Sequence, residues 1–247
     1  MKIHPTINAA ITAVMLGSLS SSAFAGNKAA AETSAPYHPT IDPRNFSEVV
    51  NNPYFTLTPG TTFTYKSHDD KGTEINKVSV TDRTRKVMGV TARVVLDRVW
   101  LNGALVEETY DWYAQGKEGN VWYFGESSKE HKTGKVASTR GSWEAGVKGA
   151  QPGIVMHAHP KPGDPYRQEY KKGEAEDMGQ VLSVKETVKV RASTYKNCVK
   201  TKDWSAIETG NGEHKYYSKE VGNVVLETED KNDNNRVELV EITKNKK

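Results

Sequence analysis

Hydrophobic and polar residues alternate with a period close to two through much of the chain, as at Thr61-Thr62-Phe63-Thr64-Tyr65. This period is typical of β-strands with one buried face. Short turns rich in Gly, Asn and Asp separate the alternating runs, which indicates strands that follow one another at tight connections. The pattern predicts ten strands, at residues 62–67, 75–82, 90–101, 104–115, 120–126, 181–190, 195–207, 214–219, 224–228 and 236–242.

Consecutive strands joined by short turns pair in antiparallel meanders. We therefore predict a mainly β fold over residues 46–247, an antiparallel meander that forms a barrel-like or two-sheet single domain. Two sections depart from the alternating pattern. Residues 127–173 are expected to be rich in loops, and residues 174–182 mix helix formers with Gly179, which predicts a helical turn.

The N-terminus has the organisation of a secretory signal peptide over residues 1–25. Lys2 precedes an apolar run, and Ala23-Phe24-Ala25 is a small-x-small cleavage site. Residues 26–45 contain three prolines and no repeating apolar face, so we predict a flexible leader or an extended arm. No later segment has the ~20 consecutive apolar residues of a spanning helix. We expect a periplasmic or extracellular protein without a transmembrane anchor.

The charge balance and the cysteine content narrow the classes of partner and of fold. The 34 basic and 31 acidic residues give a formal net charge of +3, and so even a balance argues against nucleic acid as the main partner. Cys198 is the single cysteine. The fold therefore has no internal disulfide and must be stabilised by burial.

Aromatic and polar side chains are mixed in the run EETYDWYAQGKEGNVWYFGE, residues 107–126. With a loop at residues 116–119, the predicted register places Tyr113 opposite Trp122 and Asp111 opposite Phe124. Rings beside amide and carboxylate groups are typical of a ligand cavity. The alternative is that the rings form core and the acids satisfy backbone groups or an Arg. The ligand-binding residues predicted here are Asp111, Tyr113, Gln115, Trp122, Phe124 and Glu126.

The run YRQEY, residues 166–170, also alternates strictly, so Arg167 and Glu169 are predicted to share one face. An Arg in this position is suited to clamping a ligand carboxylate or phosphate. The alternative is that it pairs with a structural acid such as Glu126 or Asp111. We predict that Arg167 and Glu169 belong to the same ligand site.

A His-x-His pair precedes this run. His157 and His159 would project to the same side of an extended strand and are suited to share a metal ion. Glu169 is the predicted third ligand. Two His and one carboxylate suit zinc or non-haem iron, and the neighbouring Met156 makes copper a further candidate. The alternative is a surface-loop pair that is hydrogen-bonded to backbone.

The motifs DWYAQ (111–115), GNVWYFGE (119–126), YRQEY (166–170) and AED (175–177) resemble those of a family of bacterial secreted proteins without an assigned activity. The likeness begins at NPYFTLTPG (52–60) and covers most of the mature chain. The resemblance implies secretion and no particular reaction. Gly116 stands where an acidic residue commonly follows the Gln of that pattern.

Three hypotheses about function follow from these residues. The favoured one is a β-barrel-like protein that binds a small or amphipathic molecule in an aromatic and polar cavity, because the mixed strand pair is present in full. The alternative is a metal-dependent enzyme centred on His157 and His159, and a further one is a structural envelope protein without a ligand. The sequence has no Gly-x-Ser-x-Gly nucleophile elbow and no Gly-rich phosphate loop.

Overall fold

The computed structural model describes residues 37–163, 165–207, 210 and 212–245. The predicted signal peptide and residues 26–36 of the predicted leader lie outside the described residues. Within these ranges no helix is long and apolar enough to span a membrane. The elements are one 3₁₀ turn, Pro43–Asn45, and the strands β1 (Phe46–Ser47), β2 (Val50–Asn52), β3 (Phe55–Leu57), β4 (Thr61–Asp69), β5 (Gly72–Val87), β6 (Val90–Leu101), β7 (Ala104–Gly116), β8 (Val121–Lys132), β9 (Lys135–Ser138), β10 (Trp143–Glu144), β11 (Gln151–Met156), β12 (Tyr166–Arg167), β13 (Glu169–Tyr170), β14 (Asp177–Lys189), β15 (Thr194–Ser205), β16 (Glu213–Ser218), β17 (Asn223–Glu229) and β18 (Asn232–Lys244).

One antiparallel sheet curves into a nearly closed barrel. The order of its strands is β12-β14-β15-β16-β17-β18-β4-β5-β6-β7-β8-β11-β13, while β1 pairs with β7, and β9 and β10 pair with β8. β2 and β3 form a separate two-stranded sheet. The structure confirms the predicted mainly β antiparallel meander and selects the barrel-like form of it.

The two edges of the sheet are joined by residues 166–170, which we term the strap. Its first two residues pair with β14 and its last two pair with β11. Two glycines let the strap lie close to both edges. A Cβ atom on Gly153 would overlap the backbone of Gln168, and one on Gly179 would lie 2.8 Å from the ring of Tyr166.

The segment before β4 packs on the barrel at β7, β8 and β11. The hydroxyl of Tyr37 donates a 2.9 Å hydrogen bond to a backbone carbonyl of β11, and Phe46 packs edge-on against Phe124. The β2–β3 hairpin then places Phe55 against Tyr113 inside the barrel. The first part of this segment, residues 37–47, therefore packs on the barrel, and we term it the arm.

The register between β7 and β8 differs from the predicted one. Asp111 pairs with Glu126 and Tyr113 pairs with Tyr123, so two steps along β7 lie opposite three steps along β8. One extra residue in a strand is a β-bulge. Gly125 makes it possible, since its φ is 131° and a Cβ atom there would overlap the backbone of β10.

The predicted pairs of Tyr113 with Trp122 and of Asp111 with Phe124 were therefore wrong. Trp122 and Phe124 both lie against Phe46 of the arm, with ring centroids 6.0 and 5.4 Å away, whereas the bulge places Glu126 on the side of Tyr123. The period of two predicts side-chain direction only where the ladder is regular.

Two sections are more regular than expected. Residues 174–182 contain no helix, because β14 begins at Asp177 and pairs with β15 and β12. The prediction of a helical turn there was wrong: Gly179 is a poor helix former, and its lack of a side chain lets the strap approach the strand. Residues 127–173, expected to be rich in loops, contain the end of β8 and five short strands.

Candidate functional site

The barrel interior contains an unusual number of buried acidic side chains. Among the described residues nine Asp or Glu side chains are buried, but only two Lys or Arg side chains, Arg93 and Lys215. Charged groups are seldom buried without a partner, since removing a charge from water is costly. The buried acids are Glu74, Asp97, Asp111, Glu126, Glu169, Asp177, Asp203, Glu213 and Glu227.

Arg93 holds backbone and not these carboxylates. Its Nη1 donates a 3.1 Å hydrogen bond to the carbonyl of Asp82, and its Nε donates one of 3.4 Å to the carbonyl of Glu48. The β5–β6 register shifts at this point, so Arg93 supports an irregular part of the wall. Within the described part of the chain, Lys215 is therefore the one buried Lys or Arg that forms ion pairs with buried acids.

Lys215 on β16 is surrounded by Asp203, Glu213 and Glu227, and we term these four residues the Lys215 group. Its Nζ lies 3.0 Å from Glu213 Oε1 and 3.5 Å from Asp203 Oδ2. Burial opposes the charge of Lys215, but the charges of Glu213, Asp203 and Glu227 outweigh burial and raise its pKa well above the usual value. The interior thus keeps an amine charged.

The other wall, formed by β6, β7, β8 and the strap, carries Asp97, Asp111, Tyr123, Glu126 and Glu169, which we term the Tyr123 group. Tyr123 Oη lies 2.8 Å from Asp111 Oδ1 and 2.9 Å from Glu126 Oε2. A phenol has one proton, so it donates only one of these hydrogen bonds. The other requires a protonated carboxyl group that donates to the phenol oxygen. We conclude that the Tyr123 group holds at least one carboxylic acid proton.

The pKa values of Asp111 and Asp97 agree with a proton held in this group. Burial raises the pKa of Asp111 to about 7, although the hydrogen bond from Tyr123 opposes it. Burial and then the charge of Asp111 raise the pKa of Asp97 well above its usual value. Both groups keep a proton at pH values at which an aspartate in water is charged.

Glu169 reaches the same group from the strap and is only 2 % exposed. Burial, the charge of Asp177 and the charge of Glu126 raise the pKa of Glu169 well above its usual value. No ion pair among the described residues includes Asp97, Asp111 or Glu169. One carboxyl oxygen of Asp97 and one of Asp111 have no hydrogen-bond partner among the described residues, and an unsatisfied buried polar atom costs about 1–3 kcal/mol. The side chain of Trp143 lies beside the carboxyl of Glu169 and opposes the rise of its pKa.

A small cavity lies next to Tyr113 and Lys215, and no residue of the Tyr123 group lines it. The ring of Tyr113 stacks on Tyr123 with centroids 4.9 Å apart, and its buried hydroxyl has no hydrogen-bond partner among the described residues. The cavity lining joins Tyr113 to Lys215 and Tyr217 of the opposite wall. The space that a water centre can occupy is about 10 Å³, which is room for roughly one water molecule.

The structure brings together four of the eight predicted ligand-binding residues. Asp111, Tyr113, Glu126 and Glu169 lie inside the barrel, and Tyr123 connects them. They reach one place because the bulge in β8 and the position of the strap turn Glu126 and Glu169 toward the same interior.

The other four lie elsewhere. Gln115 accepts hydrogen bonds of 2.8 and 2.9 Å from the backbone N–H groups of residues 51 and 52, and so fixes the start of the β2–β3 hairpin. Trp122 and Phe124 pack on the arm. Arg167 lies over the ring of Tyr170 and pairs with Glu176 at 3.5 Å, and not with either of the acids suggested by the sequence.

The three predicted metal ligands are not brought together. The ring of His157 packs edge-on against Tyr166, with centroids 4.4 Å apart, and burial lowers its pKa. His159 is exposed, whereas Glu169 belongs to the Tyr123 group. Among the described residues no three His, Cys, Asp or Glu side chains are placed to hold a metal ion.

Sequence reasoning missed Asp97, Tyr123 and the Lys215 group. A usable signal was present, because Asp97 lies in phase with Val95 and Val99, and Lys215 lies in phase with Tyr217. A charged residue on the apolar face of a predicted strand indicates a buried charge and therefore a partner across the barrel.

Comparison with protein-family models, with curated proteins and with solved structures found no match to this chain. The resemblance noted from the motifs therefore stays a prediction. The geometry of the barrel interior is what bears on function.

Proposed function

We propose that the barrel binds a small primary ammonium ion in the Tyr123 group. The observation that supports this proposal is the contrast between the two walls. On one wall the ammonium of Lys215 lies among carboxylates. On the other, buried oxygens of Asp97 and Asp111 have no partner among the described residues.

The chemistry of a primary ammonium matches this group. An –NH₃⁺ group donates three hydrogen bonds and accepts none. Asp97 and Asp111 each offer an acceptor oxygen that has no partner among the described residues, and the carboxyl of Glu169, which interacts with the side chain of Trp143, is the third acceptor. The ring of Tyr113 stacks on that of Tyr123, and burial together with the charges of Asp111, Glu126 and Asp97 raises the pKa of the Tyr113 hydroxyl well above its usual value. A cation bound there would balance the carboxylate charge that protons balance in the free protein.

Close packing restricts the size of the ligand. All five residues of the Tyr123 group are at most 2 % exposed, so we propose methylammonium, the smallest primary alkylammonium, which displaces the least of this packing. This is a narrower ligand class than the small or amphipathic molecule expected from the sequence.

Calorimetric titration with methylammonium chloride at pH 7.5 tests the proposal, with tetramethylammonium chloride as the matched ligand that has the charge but no N–H donor. We expect the wild type to bind methylammonium and not tetramethylammonium, and Asp111→Asn to weaken binding at least about tenfold, or 1.4 kcal/mol. Glu144→Gln is the control, because Glu144 pairs with Arg85 on the outer wall. Equal binding of both ligands, or an unchanged affinity in Asp111→Asn, would contradict the proposal.

We also propose that the mature protein is periplasmic or extracellular. The signal-peptide pattern of residues 1–25 supports this location. N-terminal sequencing of protein recovered from the host's envelope or medium should begin at Gly26, and an N-terminus that still carries residues 1–25 would contradict it.

A further inference from the structure

We infer that the strap is the gate through which a ligand reaches the Tyr123 group. This inference deepens the proposed function and depends on it for the identity of the ligand. The strap is the segment where the barrel is closed by the least backbone pairing. It pairs with β14 at Tyr166 and Arg167 and with β11 at Glu169 and Tyr170.

The long strands of the wall are held much more firmly, although β11, next to the strap, pairs with β8 through only three residue pairs. β5 and β6, for example, pair through eleven residue pairs, whereas the strap has two on each side. Local opening requires least free energy where the fewest hydrogen bonds and buried contacts must be broken. The barrel can therefore open at the strap while the long strands stay paired.

The inner side of the strap is part of the binding site. Glu169 supplies a carboxyl to the Tyr123 group, and Gln168 donates a 3.2 Å hydrogen bond to Asp203 of the Lys215 group. Movement of the strap away from the barrel would thus expose both acidic groups at once. Its return would bring Glu169 back over a bound cation.

The outer side of the strap carries contacts that close it. The guanidinium of Arg167 lies 4.5 Å from the ring centre of Tyr170 and 5.7 Å from that of Tyr37. Its Nη1 lies 3.5 Å from Glu176. These contacts are partly exposed and between side chains, so they can break and form again without disturbing the sheet. Because Gly153 and Gly179 have no side chains, the strap lies directly against both edges of the sheet.

A reversible cross-link tests the gate. In a Cys198→Ser background, Arg167→Cys with Met178→Cys joins the strap to the facing residue of β14. Lys200→Cys with Tyr216→Cys is the matched control, since it joins two facing residues of β15 and β16 away from the strap. Each variant is studied oxidised and reduced, with the cross-link verified by mass spectrometry. The two readouts are the association rate of methylammonium and the hydrogen exchange of the strap amides.

We expect oxidation of the strap pair to slow methylammonium association at least about tenfold, reversed by reduction, and oxidation of the control pair to leave it unchanged. In the wild type, the amide of Gln168, which bonds to the carbonyl of Asp177, should exchange faster than the amides at the centre of β6. If the cross-link left the association rate unchanged, the strap would not be the gate. The same conclusion would follow if the Gln168 amide exchanged only on global unfolding. If the wild type does not bind methylammonium, the proposed function fails, and hydrogen exchange still decides whether the strap opens.

Discussion

The two walls of the barrel interior present similar acids but balance their charge differently. On the β15–β17 wall, Asp203, Glu213 and Glu227 surround the ammonium of Lys215. On the β6–β8 wall the acids share a phenol and protons, and no ion pair of the described residues includes Asp97 or Asp111. The same fold thus satisfies buried carboxyls in two ways, by a permanent cation and by protons that can leave.

The difference between the walls indicates where exchange with solvent molecules is possible. A lysine is covalently attached, so the Lys215 group cannot release its cation. Protons on the Tyr123 group can be replaced when a cation is available, because the pKa of Asp111 is about 7. We therefore regard the Lys215 group as structural and the Tyr123 group as the one that binds.

Removal of the permanent cation should have the largest effect. Lys215→Met leaves three acids without the ammonium that balances them, and loss of one partner of a buried ion pair costs about 3–5 kcal/mol. Urea unfolding of this variant should show that loss. Lys66→Met, at an exposed position of β4, is the control. If the free energy of unfolding of Lys215→Met fell by less than about 1 kcal/mol, the ammonium of Lys215 would not be what balances the three acids, and the proposed difference between the walls would be wrong.

The Tyr123 group should make the protein less stable as pH rises. A carboxyl whose folded pKa is raised binds more protons folded than unfolded, so its contribution is full below the unfolded pKa and is lost as pH rises through the folded one. Between the unfolded value of 3.8 and about 7 for Asp111, the free energy of unfolding should fall by about 1.4 kcal/mol per pH unit for each proton. Urea unfolding from pH 5 to 8 measures this slope. Asp111→Asn should flatten it, and an unchanged slope would show that Asp111 does not hold the proton.

Loss of the shared phenol should have an intermediate effect. Tyr123→Phe removes the group that joins Asp111 to Glu126, and the buried oxygens left unsatisfied cost about 1–3 kcal/mol. Tyr216→Phe is the matched control, because Tyr216 lies under Lys200. Thermal unfolding of both variants compares the two walls. If the two variants were equally destabilised, the hydrogen bonds of Tyr123 to Asp111 and Glu126 would have no special role in stability.

Trp122→Ala should have the smallest effect on binding. Trp122 packs on the arm through Phe46 and lies outside the Tyr123 group, so the free energy of methylammonium binding should change by less than about 0.5 kcal/mol. Calorimetry on the folded variant measures this. A tenfold loss of affinity for methylammonium would show that Trp122 belongs to the binding site.

The sequence predicted the fold class well because alternation and turn chemistry are local. The strands β4 to β8 were each predicted, and their starts were placed within three residues, but β5 and β8 run five and six residues beyond their predicted ends. The register of β7 and β8 could not be predicted, since it depends on the bulge at Gly125, where the backbone of β10 fills the place of a side chain. That contact joins segments whose proximity exists only in the folded barrel.

The candidate site was predicted in part for the same reason. Asp111, Tyr113 and Glu126 lie close in sequence, so the hairpin pattern brought them together. Glu169 was assigned to the site through the alternation of the strap, but Arg167 was assigned with it and lies outside. Lys215 and Asp97 could not be connected to the site without knowing which strands face each other across the interior.

Proton release on binding tests the central claim most directly. Methylammonium is titrated into the wild type at pH 6.5 in two buffers of different ionisation enthalpy, and the difference in heat gives the protons exchanged. The account predicts that about one proton is released for each ammonium bound, and that affinity rises from pH 5.5 to pH 8. Binding without proton release, or with higher affinity at pH 5.5, would contradict the claim that a cation replaces protons in the Tyr123 group.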